Sequence, residues 1–177
     1  IAAELVFEDC IVPKENLLVP EGEGLKKNLK GYHAWRCFVA ARANSIAEKA
    51  LEHSLKYVNE REQFGKKIGS FQLIQEMLAD MKTEIDASRL LTYRALDMVN
   101  KGKHCRVETS MAKQFATEMA IRVTSKAIQI HGAYGLTSEF PLERLFRNAR
   151  ILTIPEGTTQ IQKLVIGREL TGLNAIR

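Results

Sequence analysis

The sequence predicts an all-α protein, an up-down four-helix bundle preceded by one orphan β-strand. Three observations carry that expectation. Between Leu25 and about Glu62 there is no proline, and apolar residues recur at helical spacing at Phe38, Ala41, Ile46, Ala50, Leu55 and Val58. Two further long stretches repeat the pattern, and short breaks join them, as in antiparallel neighbours. With 177 residues, 45% of them hydrophobic, the chain can bury one sizeable core.

The elements follow in order. Glu4 to Val12 mixes apolar and acidic positions and stops at Pro13, which reads as a strand. One strand makes no sheet, so its partners are expected upstream or in another chain. Pro20-Glu21-Gly22-Glu23-Gly24 is a breaker cluster. The domain division expected is therefore 1–20, the end of a preceding β-domain with its linker, and 21–177, the bundle. Gly31 is a candidate break inside the first helix. Phe64 to Gly69 reads as a loop, with Ser70 as the N-cap of a second helix reaching about Asn100. Ile74, Met77, Leu78, Met81, Ile85 and Leu91 form its apolar stripe, and Lys101-Gly102-Lys103 ends it. A third helix is expected from Val107 to His131, a short one from Leu142 to Arg147, and a last one from Glu156 to Leu170. No internal repeat is visible.

Composition removes several function classes. The 26 basic and 21 acidic side chains leave a formal charge of +5, but Lys and Arg are dispersed among acids and not interleaved with aromatics. That is no nucleic-acid signature. Cys10, Cys37 and Cys105 form no CxxC pair, and His33, His53, His104 and His131 make no metal-ligand pattern, so free thiols in a reducing compartment and no metal are expected. No apolar run reaches the length of a membrane span. Ile1 in place of an initiator methionine reads as a cut, with any targeting segment upstream.

One stretch carries chemistry. Ile154-Pro155-Glu156-Gly157-Thr158-Thr159-Gln160 places a carboxylate in a Pro/Gly turn at the mouth of an amphipathic helix. Pro155 lacks an N–H, Gly157 lets a ligand approach the backbone, and Thr158 and Gln160 bring polar groups to a helix start. Read locally, Glu156 either complements the helix dipole or acts as a base.

Six motifs occur in a fixed order: Phe7-Glu8-Asp9 with Val12-Pro13, Arg61-Glu62-Gln63-Phe64-Gly65, Phe71-Gln72-Leu73-Ile74-Gln75, Leu78-Ala79-Asp80-Met81, Ala127 to Gly132, and Glu156-Gly157-Thr158. Together they resemble the C-terminal half of the flavin-dependent acyl-CoA dehydrogenases, over essentially the whole chain. That resemblance implies a bundle following the last strand of a β-domain, and a chain that is inactive alone because its flavin pocket is incomplete. The implied reaction converts an acyl-CoA thioester to a trans-2-enoyl-CoA, a carboxylate taking the α-proton while hydride passes to flavin N5.

Glu156 matches the base. Some relatives carry the catalytic Glu just before the position of Arg36, which here is Trp35 and cannot accept a proton. Arg36, Gly157, His33 and Arg168 match the substrate side. Without the resemblance, Arg36 reads as an intra-bundle ion pair, His33 as an ordinary helix residue and Arg168 as an exposed salt-bridge partner. Arg61, Phe64, Gln72, Gln129, Gly132, Ala133, Thr158 and Gln160 match FAD contacts, partly across a dimer. Alone, Arg61 reads as a solvated helix-end cation and Gln129 as a polar helix residue. Implied partners are an acyl-CoA, an electron-transfer flavoprotein and further copies in a homodimer or homotetramer, in bacterial cytoplasm or mitochondrial matrix. Pro155 and Gly132-Ala133-Tyr134-Gly135 depart from the family pattern and leave the acyl preference open. An oxygen-reducing acyl-CoA oxidase and a helical oligomerisation module without catalysis are the other readings.

Overall fold

The computed structural model describes residues 3–175, in two compact units divided at Gly31 and Tyr32. The helix α1, Gly24–Glu60, is assigned continuously through Gly31. In the first unit, Leu5, Val6, Phe7 and Ile11 are exposed and only a short 3-10 turn, Lys14–Asn16, precedes α1. The strand expected over Glu4 to Val12 is not formed among these residues. An isolated segment has no ladder to join, so its backbone groups stay with water.

The second unit is the predicted bundle. After α1 come β1, Glu62–Gln63, and β2, Lys66–Lys67, then α2, Gln72–Asn100, α3, Arg106–His131, α4, Leu142–Ile151, and α5, Thr159–Thr171. Cross-helix pairs give the directions. Asn44 Nδ2 donates to Thr92 Oγ1 at 3.0 Å and Arg89 pairs with Glu48, so α1 and α2 are antiparallel. Lys126 pairs with Asp80 and Arg94 with Glu108, so α2 and α3 are antiparallel. Arg106 pairs with Glu169, at the opposite end of α5 from Thr159, which reverses the chain once more.

Small residues set the packing distance. Cys37, Ala40, Ala43, Ala47 and Ala50 of α1 and Ala112, Ala116, Ala120 and Ala127 of α3 are all fully buried. Met81, Ile85, Met119, Val123 and Leu142 fill the space between. In α3 the buried side chains cover one broad half of the helix, from Thr109, Ala112 and Lys113 to Thr124 and Ala127, while Arg122, Ser125 and Gln129 opposite them are exposed.

Besides α4, which runs on to Ile151 where Arg147 was the expected end, three features differ from expectation for physical reasons. The loop over Phe64 to Gly69 contains a two-residue hairpin, pairing Glu62 with Lys67 and Gln63 with Lys66. Phe64 and Gly65 both have positive φ (53° and 75°), as a type I′ turn requires. Ser70 is not the N-cap of α2; it closes a 3-10 turn with its hydroxyl on Lys67 O, and Phe71 takes the cap position. The last helix starts at Thr159 rather than Glu156, because Glu156 (φ 58°) and Gly157 (φ 91°) are left-handed. Among the described residues no helix is long and apolar enough to cross a membrane, and no cluster of three His, Cys, Asp or Glu is placed to hold a metal ion.

Candidate active site and cofactor cavity

Glu156 sits half-buried on the turn between α4 and α5, and its carboxylate has no hydrogen-bond or ion-pair partner among the described residues. The turn itself is tightly held. Thr158 caps α5, its hydroxyl accepting from Ile161 N at 3.4 Å. Thr159 N donates to Thr153 O at 3.1 Å, and its hydroxyl donates to Glu118 Oε1 of α3 at 2.7 Å. Gln162 Nε2 reaches back to Glu156 O at 3.0 Å and Gly157 O at 2.9 Å. Lys113 Nζ of α3 donates to the same Gly157 carbonyl at 2.8 Å.

Magnitudes explain why the strained backbone persists. A non-glycine residue in the left-handed region costs about 1–3 kcal/mol. Each of the two Gln162 amide bonds returns about 1 kcal/mol. Together they are of the same size as the strain. Gly157 is required as glycine twice over: its φ is positive, and a Cβ there would lie 2.7 Å from Gln162 Nε2.

Behind the turn runs a buried polar seam. Arg36 of α1 is 8% exposed; its Nη1 donates to Ser110 Oγ at 3.2 Å, while Nε has no partner. Its ion-pair reading gives way to this neutral hydroxyl. His33 Nδ1 faces Thr109 Oγ1 at 3.3 Å, and burial followed by the Arg36 charge pushes its pKa down. Lys113 is fully buried and its pKa falls to about 8, first through burial and then through Arg36, with Glu118 and Glu156 opposing.

That shift has a stability consequence with a definite sign. Below about pH 8 both folded and unfolded chains carry the Lys113 proton. Between about 8 and the ordinary 10.5 the unfolded chain holds it and the folded chain does not. The unfolded state then binds more protons, so stability rises with pH across that window, by at most roughly 3 kcal/mol. Urea unfolding at intervals across it should show the rise in the parent chain and not in Lys113→Met.

The other sequence-predicted residues fall in separate places. Arg61, Phe64, Gln72, Gln129, Gly132 and Ala133 line one open cavity of about 1000 Å³ between the β1–β2 hairpin, the start of α2 and the end of α3. The hairpin places Arg61 and Phe64 there, and Gly132 (φ 59°) ends α3 beneath them. Thr158 and Gln160 are not on its wall but at the Glu156 turn. Arg168 is exposed in the last turn of α5, some 13 Å along the axis from Thr159. The salt-bridge reading of that region belongs instead to Glu169, which holds Arg106 and His104.

Sequence reasoning missed Lys113, Gln162, Lys66 and His131. Lys66 and His131 also line the cavity; His131 stacks on Tyr57 at 4.1 Å and its Nδ1–H donates to Ala127 O at 2.8 Å. The i,i+4 placement of Gln162 after Thr158 was a readable signal. A lysine in an amphipathic helix was not, because such residues ordinarily face water.

The bundle has counterparts among known proteins. Residues 22–171 match the family described as acyl-CoA dehydrogenase, C-terminal domain. An acyl-CoA dehydrogenase of Bacillus subtilis (strain 168) is 44% identical over 169 residues, 96% of this chain and 45% of that protein. An acryloyl-CoA reductase (NADH) of Anaerotignum propionicum is 48% identical over 168 residues, 95% of this chain and 43% of the relative. The structure of butyryl-CoA dehydrogenase from Megasphaera elsdenii superposes with a TM-score of 0.87 at 44% identity, over 93% of this chain and 43% of that one. This chain spans less than half the length of these relatives. From the matched domain and the shared bundle, the chain belongs to the acyl-CoA dehydrogenase family.

Proposed function

We propose that this chain supplies the proton-transferring base and part of the cofactor site of an FAD-dependent acyl-CoA dehydrogenase. The observation that carries the reading is the unpaired Glu156 carboxylate on a turn whose backbone is bonded to α3 and α5. A base must be free to accept a proton and yet fixed in place, and this arrangement meets both needs. In the reaction, the Cα–H proton of the thioester passes to Glu156, the Cβ–H leaves with its electron pair, and the C=C bond forms. A bound flavin supplies the acceptor for that hydride. Backbone N–H groups of the turn face the charge that develops on the thioester oxygen, and one such donor is worth roughly 3 kcal/mol. Gly157 leaves room for the thioester, and Arg36 and His33 lie behind it.

The large cavity suits a dinucleotide. Arg61 offers a fork for a pyrophosphate, Gln72 and Gln129 offer amides, and Phe64 an aromatic face. Its separation from Thr158 and Gln160 fits contacts shared between two copies in a homodimer or homotetramer. Arg61 has no ion-pair partner among the described residues, so little else depends on it. Arg61→Gln in the full-length protein is expected to weaken flavin retention by about 10- to 100-fold, one charge-assisted contact's worth. The flavin-to-protein ratio after dialysis measures this; an unchanged ratio removes Arg61 from the site.

The acryloyl-CoA reductase relative favours a second direction for the same site. There a protonated Glu156 would return its proton to Cα while hydride arrives at Cβ, the reverse of the same step. One experiment addresses both. The full-length protein is titrated anaerobically with a panel of acyl-CoAs while the flavin absorbance is followed. Bleaching by one thioester identifies the substrate class. Reoxidation by an enoyl-CoA, by an electron-transfer flavoprotein or by oxygen then separates reductase, dehydrogenase and oxidase. A protein that binds no flavin leaves only the oligomerisation module.

A further inference from the structure

Lys113 is the least expected residue in the bundle. It is completely buried on α3, among Ala112, Ala116 and Ala120. No carboxylate lies within ion-pair distance of it among the described residues, and its ammonium has one acceptor, the Gly157 carbonyl at 2.8 Å. An apolar side chain of similar length would fill this space without the cost of desolvating a cation. Stability alone therefore does not account for it.

Its contact explains it. A trans peptide is planar, with its C=O and N–H pointing in opposite directions. Gln162 holds the Glu156 carbonyl, and Lys113 and Gln162 together hold that of Gly157. The N–H groups on the other side of those two peptides are thereby turned away from the donors, that of Thr158 from Lys113 and that of Gly157 from Gln162. Among the described residues neither donates to a protein acceptor. Glu156, left-handed at φ 58°, would otherwise relax, whereas Gly157 takes its φ of 91° freely.

We propose that Lys113 is the positioning residue of the base-bearing turn, using the Gly157 carbonyl to aim both the Glu156 carboxylate and the outward N–H groups at the reacting thioester. The inference rests on Glu156 being the base. Lys113 itself touches neither substrate nor cofactor.

The test uses the full-length, flavin-bound protein with Lys113→Met, which keeps length and volume and removes the donor. Two readouts are taken: steady-state kinetics with the reducing acyl-CoA, and hydrogen–deuterium exchange of the peptide spanning residues 153–162. The expected result is a fall in kcat of roughly 100-fold, the cost of a small misplacement. KM should change by less than about threefold, since uniform binding is untouched. Amide exchange in 153–162 should rise about tenfold or more, with α2 unchanged, as for local opening. Lys113→Gln, retaining an N–H donor, should recover part of both effects. A Met variant with kcat within about threefold of the parent, or with slow turnover and an unloosened turn, overturns the proposal. Amide exchange does not depend on the identity of the base. If Glu156 proves not to be the base, a loosened turn in the Met variant still supports the clamp, and an unloosened one ends it.

Discussion

Glu156→Gln in a full-length protein carrying this domain is expected to reduce α-proton exchange and flavin reduction by about four orders of magnitude, the upper end for loss of a general base. Ligand binding should persist. Glutamine has the same shape but cannot accept the proton, and the groups that hold the turn bond to the backbone of residues 156 and 157 rather than to the carboxylate. The left-handed φ of 58° at this position should therefore be retained. Exchange of the α-proton with solvent deuterium, followed without an electron acceptor, isolates the proton step from the hydride step. Substantial residual exchange would sink the assignment. Trp35, the other position that the family resemblance marks for a base, has no proton-accepting group.

Gly135→Ala should produce the largest loss of stability from a single methyl group. Gly135 is buried in the 3-10 turn that follows α3, Gly132–Leu136. A Cβ there would stand 2.8 Å from Ile128 O and 2.9 Å from Ile128 Cα, both backbone atoms of α3. A side chain could rotate aside; a helix backbone cannot. Overpacking of this kind costs about 3 kcal/mol, or a fall of roughly 9 °C in Tm for a chain of this size. Gly167→Ala is the matched control. It lies within α5 with nothing within 4 Å of its would-be Cβ, so helix propensity should leave it neutral or slightly stabilising. Thermal melts of both variants check the pair. Because Gly132, Ala133 and Tyr134 line the large cavity, Gly135→Ala should also weaken flavin retention in the full-length protein.

Both predictions depend on features that were unequally visible in the sequence. The Pro155-Glu156-Gly157 turn could be read directly, because proline and glycine restrict or free the backbone in ways independent of context. The start of the last helix was misplaced by three residues, since the left-handed state of a glutamate is imposed from outside by Gln162 and Lys113. The hairpin at Phe64-Gly65 was hidden for a similar reason. Phenylalanine rarely takes positive φ, so a type I′ turn there carries no sequence signature. The motif around Arg61 indicated a ligand site through family resemblance, whereas its local chemistry suggested only a solvated cation.

Family resemblance singled out Glu156 as the base, whereas periodicity, breakers and turn residues by themselves determined the helices and their antiparallel order. These are local properties, written in spacings of three and four residues. Tertiary structure alone decided which polar residues are buried and what they hold. Lys113 and Gly157 are 44 positions apart, as are Ser88 and Asn44, and Arg36 meets Ser110 across 74. Whether a lysine on α3 faces water or a carbonyl depends on which helices enclose it, and that follows from the packing of the whole bundle.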